Sequence, residues 1–86
     1  MAGGDGMNLY LISQSVNDNY DTFDSAVVAA ETEEKARLTH PSIYIREWNG
    51  IDNDVWANSD KIIVKLLGTA ADGTPVGVIC ASFNAG

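Results

Sequence analysis

Apolar residues alternate along five short segments, and this pattern constrains the fold more than any other feature of the sequence. The segments are Asn8 to Gln14, Thr22 to Ala30, Ser42 to Trp48, Lys61 to Leu67 and Val76 to Phe83. Successive side chains of a strand point to opposite faces of the sheet, and several of these segments are apolar in both alternations. The pattern predicts a sheet whose strands carry apolar side chains on both faces.

One segment, Glu31 to His40, has helix character. Thr32 is suited to cap its start, glutamates occupy its first turn, and Pro41 ends it. The segment has too few apolar residues to form a helix by itself, so we expect the helix to pack on the sheet. The Asn- and Asp-rich stretch 49–60 predicts a loop, and Asp72-Gly73 predicts a hairpin-type turn before the last strand.

These elements predict an α+β fold in the order β-β-α-β-β-β. It consists of an antiparallel sheet of four to five strands with one short helix packed on a face. A chain of 86 residues forms one domain with a thin core. We expect that domain to span residues 7–86 and residues 1–6 to be a flexible leader. No apolar run is long enough to cross a bilayer and no signal-peptide pattern occurs, so we expect a cytoplasmic protein without membrane contact.

The last strand raises the question of what covers the second face of the sheet. In this strand Val76, Val78 and Cys80 share one face, and Ile79, Ala81 and Phe83 share the other. A helix covers only one face. Either the long loop covers the other face with Trp48 and Trp56 as plugs, or another subunit does. The second alternative predicts a homodimer or higher oligomer. Cys80 itself is expected to be a buried structural cysteine.

The charge balance excludes several classes of function. Five basic residues against twelve acidic ones give a net charge of −7, which argues against direct nucleic-acid binding. A single cysteine excludes an internal disulfide and a multi-cysteine zinc site. Asp52-Asn53-Asp54 places two carboxylates at i and i+2 but lacks the rest of a calcium-binding loop. We therefore expect no metal and no cofactor.

The acidic and aromatic residues suggest the first of two functional hypotheses. A strongly acidic small protein associates rapidly with a basic partner, although acidic surfaces also serve solubility alone. Tryptophan is enriched at protein interfaces, although the two tryptophans of this chain equally suit a lid over the core. The hypothesis is a non-enzymatic interaction protein that binds a host or phage protein through an acidic, aromatic surface. Its candidate residues are Trp48, Trp56, Asp52, Asp54, Asp18, Asp21 and Asp24.

The alternative hypothesis is a small-molecule-binding protein or enzyme with its site at a homo-oligomer interface. Its candidate ligand anchors are Arg46, Tyr44 and His40. A planar guanidinium binds a carboxylate or phosphate through two hydrogen bonds, which makes Arg46 the anion anchor. His40 is the only histidine, and a structural role at the helix end is the simpler interpretation. No catalytic residue is assigned, because no nucleophile or paired base stands at a recognisable spacing.

Three stretches carry a resemblance to a known family. They are Leu9 to Gln14 (LYLISQ), Tyr20 to Ala30 (YDTFDSAVVAA) continuing through the helix to His40-Pro41-Ser42, and Gly77 to Gly86 (GVICASFNAG). Together they resemble a family of short, uncharacterised proteins encoded by bacteriophages and prophages. The resemblance implies a phage-related origin and action inside an infected bacterial cell. It implies no activity and no site residues.

Overall fold

The computed structural model describes residues 7–84, so the leader expected at residues 1–6 lies outside the described residues. Its elements are strand β1 (Asn8–Ser13), strand β2 (Thr22–Ala30), helix α1 (Glu33–Arg37), a 3-10 turn (Ser59–Lys61), strand β3 (Ile63–Thr69) and strand β4 (Gly77–Asn84). This is the predicted α+β class, with four strands and one short helix. None of the helices within residues 7–84 has the length and apolar character needed to cross a membrane.

The four strands form one antiparallel sheet in the order β3-β1-β2-β4. The predicted hairpin between β1 and β2 is confirmed, with Leu11 opposite Val27. The hairpin predicted between the last two strands is wrong, because β3 and β4 lie at opposite edges of the sheet. Gly73 does adopt the expected positive φ, in a turn closed from Thr74 N–H to the carbonyl of Ala71. That turn belongs to a connection that passes the ends of β1 and β2.

The core lies on one face of the sheet, where helix α1 and the loop between α1 and β3 pack together. Trp56 is its largest fully buried side chain. It packs with apolar residues of the strands, the helix and the loop: Tyr10, Ile12, Ala26, Val28, Ala30, Ala36, Ala57 and Ile62. The long loop therefore covers the same face as the helix, and the first of the two alternatives for the second face, cover by this loop, is wrong. On that second face Leu9, Leu11 and Val27 remain partly exposed.

Helix α1 is shorter than the predicted segment Glu31 to His40, although its start is as expected. The Thr32 hydroxyl accepts a hydrogen bond from Lys35 N–H at 3.1 Å, which is the predicted cap. The helix ends at Arg37, whose guanidinium donates to the backbone carbonyls of Ser59 and Ile62. Only Ala36 is buried, so tertiary packing stabilises little more than one turn.

The strand predicted at Ser42 to Trp48 does not form. Local hydrogen bonds replace a strand ladder there, since Ser42 N–H donates to His40 Nδ1 and the Ser42 hydroxyl accepts from Tyr44 N–H. The Ser42 carbonyl accepts from Ile45 N–H. Small polar residues compete with regular structure in this way. The segment instead runs as an irregular loop beside β4.

A bulge in β4 changes which of its residues share a face. Val78 lies opposite Val28, and Cys80 lies opposite Val27, so Ile79 is the extra residue. Val78 and Cys80 therefore lie on different faces, and the predicted regular alternation is wrong. The expectation of a buried Cys80 is also wrong: the thiol is free and exposed, because β4 is an edge strand and Cys80 lies on the uncovered face.

Candidate functional site

Two acidic segments that lie far apart in the sequence meet at one end of the sheet. The Asn17 side-chain amide donates to the carbonyls of Asp54 at 3.1 Å and Trp56 at 3.0 Å. Phe23 N–H donates to the carbonyl of Val55 at 2.8 Å. These bonds hold the β1–β2 turn against the loop that precedes β3.

The turn itself is built around Gln14, a buried polar side chain at the end of β1. Its amide NH₂ donates to the carbonyls of Asn17 and Phe23, and its carbonyl oxygen accepts from Val16 N–H and Asn17 N–H. All of its strong hydrogen-bonding groups are therefore used inside the fold. The turn closes at Asp21, whose φ of 63° is the one positive value outside glycine among the described residues.

The carboxylates of Asp18, Asp21, Asp24 and Asp54 are exposed at this end of the sheet. Tyr20 stands among them with 75% of its surface exposed. We call these five residues the acidic end. The structure thus gathers four of the five aspartates proposed for partner binding and adds Tyr20. The sequence signal for Tyr20 was its place in the polar turn between Asp18 and Asp21.

Asp52, the fifth aspartate, points inward and binds His40. The distance between Asp52 Oδ2 and His40 Nε2 is 2.7 Å, and the imidazole is fully buried. His40 Nδ1 accepts from Ser42 N–H at 3.0 Å, so the ring hydrogen lies on Nε2 and is donated to the carboxylate. Both ring nitrogens are therefore occupied within the protein.

The second oxygen of Asp52 organises the loop. Asp52 Oδ1 accepts from Asp54 N–H at 2.7 Å and from Val55 N–H at 3.1 Å. Partial burial raises the pKa of Asp52, but the hydrogen bonds from His40 and these two N–H groups outweigh that effect. The pKa consequently lies below the ordinary value for an aspartate.

The two tryptophans belong to the core side of the loop. Trp56 has no exposed surface, and its indole N–H has no hydrogen-bond partner within the described residues. Trp48 is half-buried, packs edge-on against His40 at 5.3 Å between ring centroids, and donates from Nε1 to the carbonyl of Ile51. Of the two interpretations, the lid of the core describes this arrangement. Trp56 presents nothing to a partner.

A groove runs along β4, between that strand and the loop 38–46. It has two parts of about 470 and 290 Å³ whose walls share Ser42, Ile43 and Val78. Arg46 and His40 line the first part, and Tyr44 lines the second. The three ligand anchors of the alternative hypothesis thus line two adjoining depressions, which we together call the β4 groove, although the ring of His40 is buried.

The β4 groove is mainly apolar, and Arg46 is its one permanently charged lining residue. Ile43 and Tyr44 project strongly from its rim, with 72% and 90% of their surfaces exposed. Sequence reasoning assigned Ile43 to a strand and missed its exposure. No local signal could have corrected this, because exposure depends on where the loop lies relative to β4.

Among residues 7–84, no three histidine, cysteine, aspartate or glutamate side chains are grouped so that they could hold a metal ion. Comparison with known proteins found no matching family, no matching curated protein and no matching solved structure.

Proposed function

We propose that this chain is a non-enzymatic interaction protein that binds a basic surface of another protein through its acidic end. The observation that carries the proposal is the junction of two acidic segments around the exposed Tyr20. Four carboxylates on one side of the molecule attract a basic partner over a distance, and a tyrosine supplies contact area at low entropic cost. The resemblance to phage-encoded proteins supports a host or phage protein as that partner.

The inward position of His40 argues against a role for this residue as a general base, and so supports a binding function of the protein. A general base must reach the proton that it removes. His40 is buried, and each of its ring nitrogens is already hydrogen-bonded within the fold. The pair with Asp52 therefore acts as a structural clamp of the loop.

The test compares two variants of equal charge. Asp18→Asn with Asp54→Asn removes two charges from the acidic end, and Glu33→Gln with Glu34→Gln removes two exposed charges from helix α1. The immobilised proteins are exposed to bacterial lysate at low salt, and bound proteins are identified by mass spectrometry. We expect one basic protein to bind the wild type and the helix variant but not the acidic-end variant. Identical captured sets for all three proteins would refute the proposal.

A second candidate function follows from the β4 groove. It combines one cation, Arg46, with apolar walls and the exposed ring of Tyr44. This combination suits a small molecule with an anionic group and a flat apolar body. The site would lie at the interface of a homo-oligomer, as the alternative hypothesis requires.

Phenyl phosphate, which carries a ring and an anion, is a suitable probe of this second candidate. We expect NMR shifts at millimolar concentration in the amides of the β4 groove, their loss in Arg46→Gln, and their retention in Lys65→Gln. Lys65 is an exposed cation on the opposite edge strand and serves as the matched control. Equal shifts in both variants would show that Arg46 does not anchor the anion.

A further inference from the structure

Strand β4 forms an edge of the sheet that is unusually open to pairing. From Gly77 to Asn84 it contains no charged residue and no proline, and its outer side pairs with no strand within residues 7–84. Natural edge strands are commonly blocked by lysine, proline or a β-bulge, and of these β4 carries only the bulge at Ile79. The other edge strand, β3, follows this rule with Lys65. The two edges of the sheet therefore differ, and β4 is the edge without a charged residue.

Apolar side chains surround this open edge. Ile79 and Phe83 of β4 are about half exposed, and Ile43 and Tyr44 of the adjoining loop are largely exposed. Clusters of exposed apolar side chains mark interaction sites on soluble proteins. A strand added beside β4 would cover these side chains while its backbone pairs with the open edge.

We propose that the added strand is β4 of a second copy of this chain. The two β4 strands pair antiparallel about a two-fold axis and join the two sheets into one of eight strands. Such an interface is isologous, so each copy gives and receives the same contacts. The axis is perpendicular to the sheet, which places both β4 grooves on the same side, each beside the second copy.

The distribution of charge along β4 favours a second copy in this orientation. Arg46 lies at the Gly77 end of the strand and forms no ion pair within the described residues. The acidic end lies at the other end of the strand, where Asp21 N–H donates to the carbonyl of Asn84. Antiparallel pairing reverses the ends, so Arg46 of each copy faces Asp21 and Asp24 of the other. A parallel arrangement would instead bring the two acidic ends together.

The assignment of this interface does not depend on partner binding by the acidic end. Its deciding variant, Ile79→Lys, lies outside the acidic end, whereas the binding test above changes Asp18 and Asp54. Dimerisation requires no ligand and no second protein. A failure of the dimer proposal can therefore be distinguished from a failure of the proposed partner binding.

The first experiment is sedimentation equilibrium of the full chain over a wide concentration range. We expect the wild type to reach twice 9.2 kDa. Ile79→Lys, which places a charge on the β4 edge, should raise the dimer Kd by about 30-fold or more. Ile63→Lys, at an exposed isoleucine of the β3 edge, should leave the Kd unchanged. Circular dichroism verifies that both variants remain folded.

The second experiment tests the orientation by exchanging charges. Arg46→Glu and Asp24→Lys should each weaken the dimer by about 5-fold, and the double variant, whose net charge equals that of the wild type, should regain the original Kd. A wild type that stays at 9.2 kDa up to millimolar concentration overturns the proposal. So does a dimer that Ile63→Lys disrupts and Ile79→Lys does not. Additive losses in the double charge variant overturn the antiparallel arrangement.

Discussion

Substitution of Asp52 by alanine should destabilise this protein far more than other changes to its acidic residues. The carboxylate accepts hydrogen bonds from His40 Nε2, Asp54 N–H and Val55 N–H. Its side chain is only 11% exposed, and the His40 ring has no exposure. Asp52→Ala therefore leaves a buried imidazole N–H without an acceptor and releases two backbone N–H groups of the loop.

The magnitude follows from the burial of the pair. Leaving one buried donor unpaired costs about 1–3 kcal/mol, and this substitution leaves the imidazole N–H and two backbone N–H groups without their acceptor, so the total should be about 3–5 kcal/mol. A domain of 86 residues has a total stability of roughly 4–13 kcal/mol at typical values per residue. The substitution should therefore remove a large share of the free energy of unfolding, and it acts on the loop that covers the core.

Urea denaturation followed by tryptophan fluorescence measures this loss, since Trp48 packs directly on His40. With a slope of about 1–3 kcal/mol/M, the midpoint should fall by roughly 1–5 M, or the variant should be unfolded without urea. Asp54→Ala is the matched control: its carboxylate is exposed and forms no hydrogen bond within residues 7–84. It should change stability by less than about 0.5 kcal/mol. Equal effects of the two substitutions would refute the role assigned to the His40–Asp52 pair.

Three further predictions concern the same scaffold. Because the pKa of Asp52 is lowered in the folded state, its contribution to stability is complete above about pH 5 and is lost as the pH falls through that pKa. The difference in free energy of unfolding between wild type and Asp52→Ala, measured by urea titration, should therefore shrink as the pH is lowered. Gly50→Ala should lower the free energy of unfolding by more than about 1 kcal/mol, measured by thermal unfolding, because φ is +89° and the new Cβ would lie 2.8 Å from Ser59 Oγ. Gly68→Ala is the control and should be tolerated, because its Cβ would meet no atom within 4 Å. Gln14→Ala should cost about 2 kcal/mol, because it leaves four partly buried backbone groups of the turn without their partners. Hydrogen exchange should show faster opening of residues 16–23, and unchanged exchange would contradict this.

The elements predicted correctly are those whose signals are local. The β1–β2 hairpin follows from two apolar segments separated by the turn-forming residues around Asn17, and the helix start follows from Thr32. The failed strand at Ser42 to Trp48 has the right alternation, but strand formation also needs a neighbouring strand. The hydrogen bonds that Ser42 forms with His40 and Tyr44 are the local alternative.

The residues of the candidate site divide in the same way between local signals and long-range contacts. Arg46 and Tyr44 could be named as candidates from their residue types, and the acidic residues of the β1–β2 turn from its composition, whereas His40 is buried and bonded to Asp52. The burial of Trp56 was one of two open interpretations, and the partnership of His40 with Asp52 was not foreseen. Both depend on the path of the long loop across the sheet, which no short stretch of sequence encodes.

The sequence by itself determined the fold class, the first hairpin, the helix cap and the excess of negative charge, because each depends on residue types and near neighbours. Only the tertiary structure decided the strand order, which makes β4 an edge, and the bulge, which exposes Cys80. It also decided that two acidic segments meet at one end and that Arg46 lies at the other end of β4. These features depend on contacts between residues far apart in the chain, whose free energies are realised only when the whole sheet assembles.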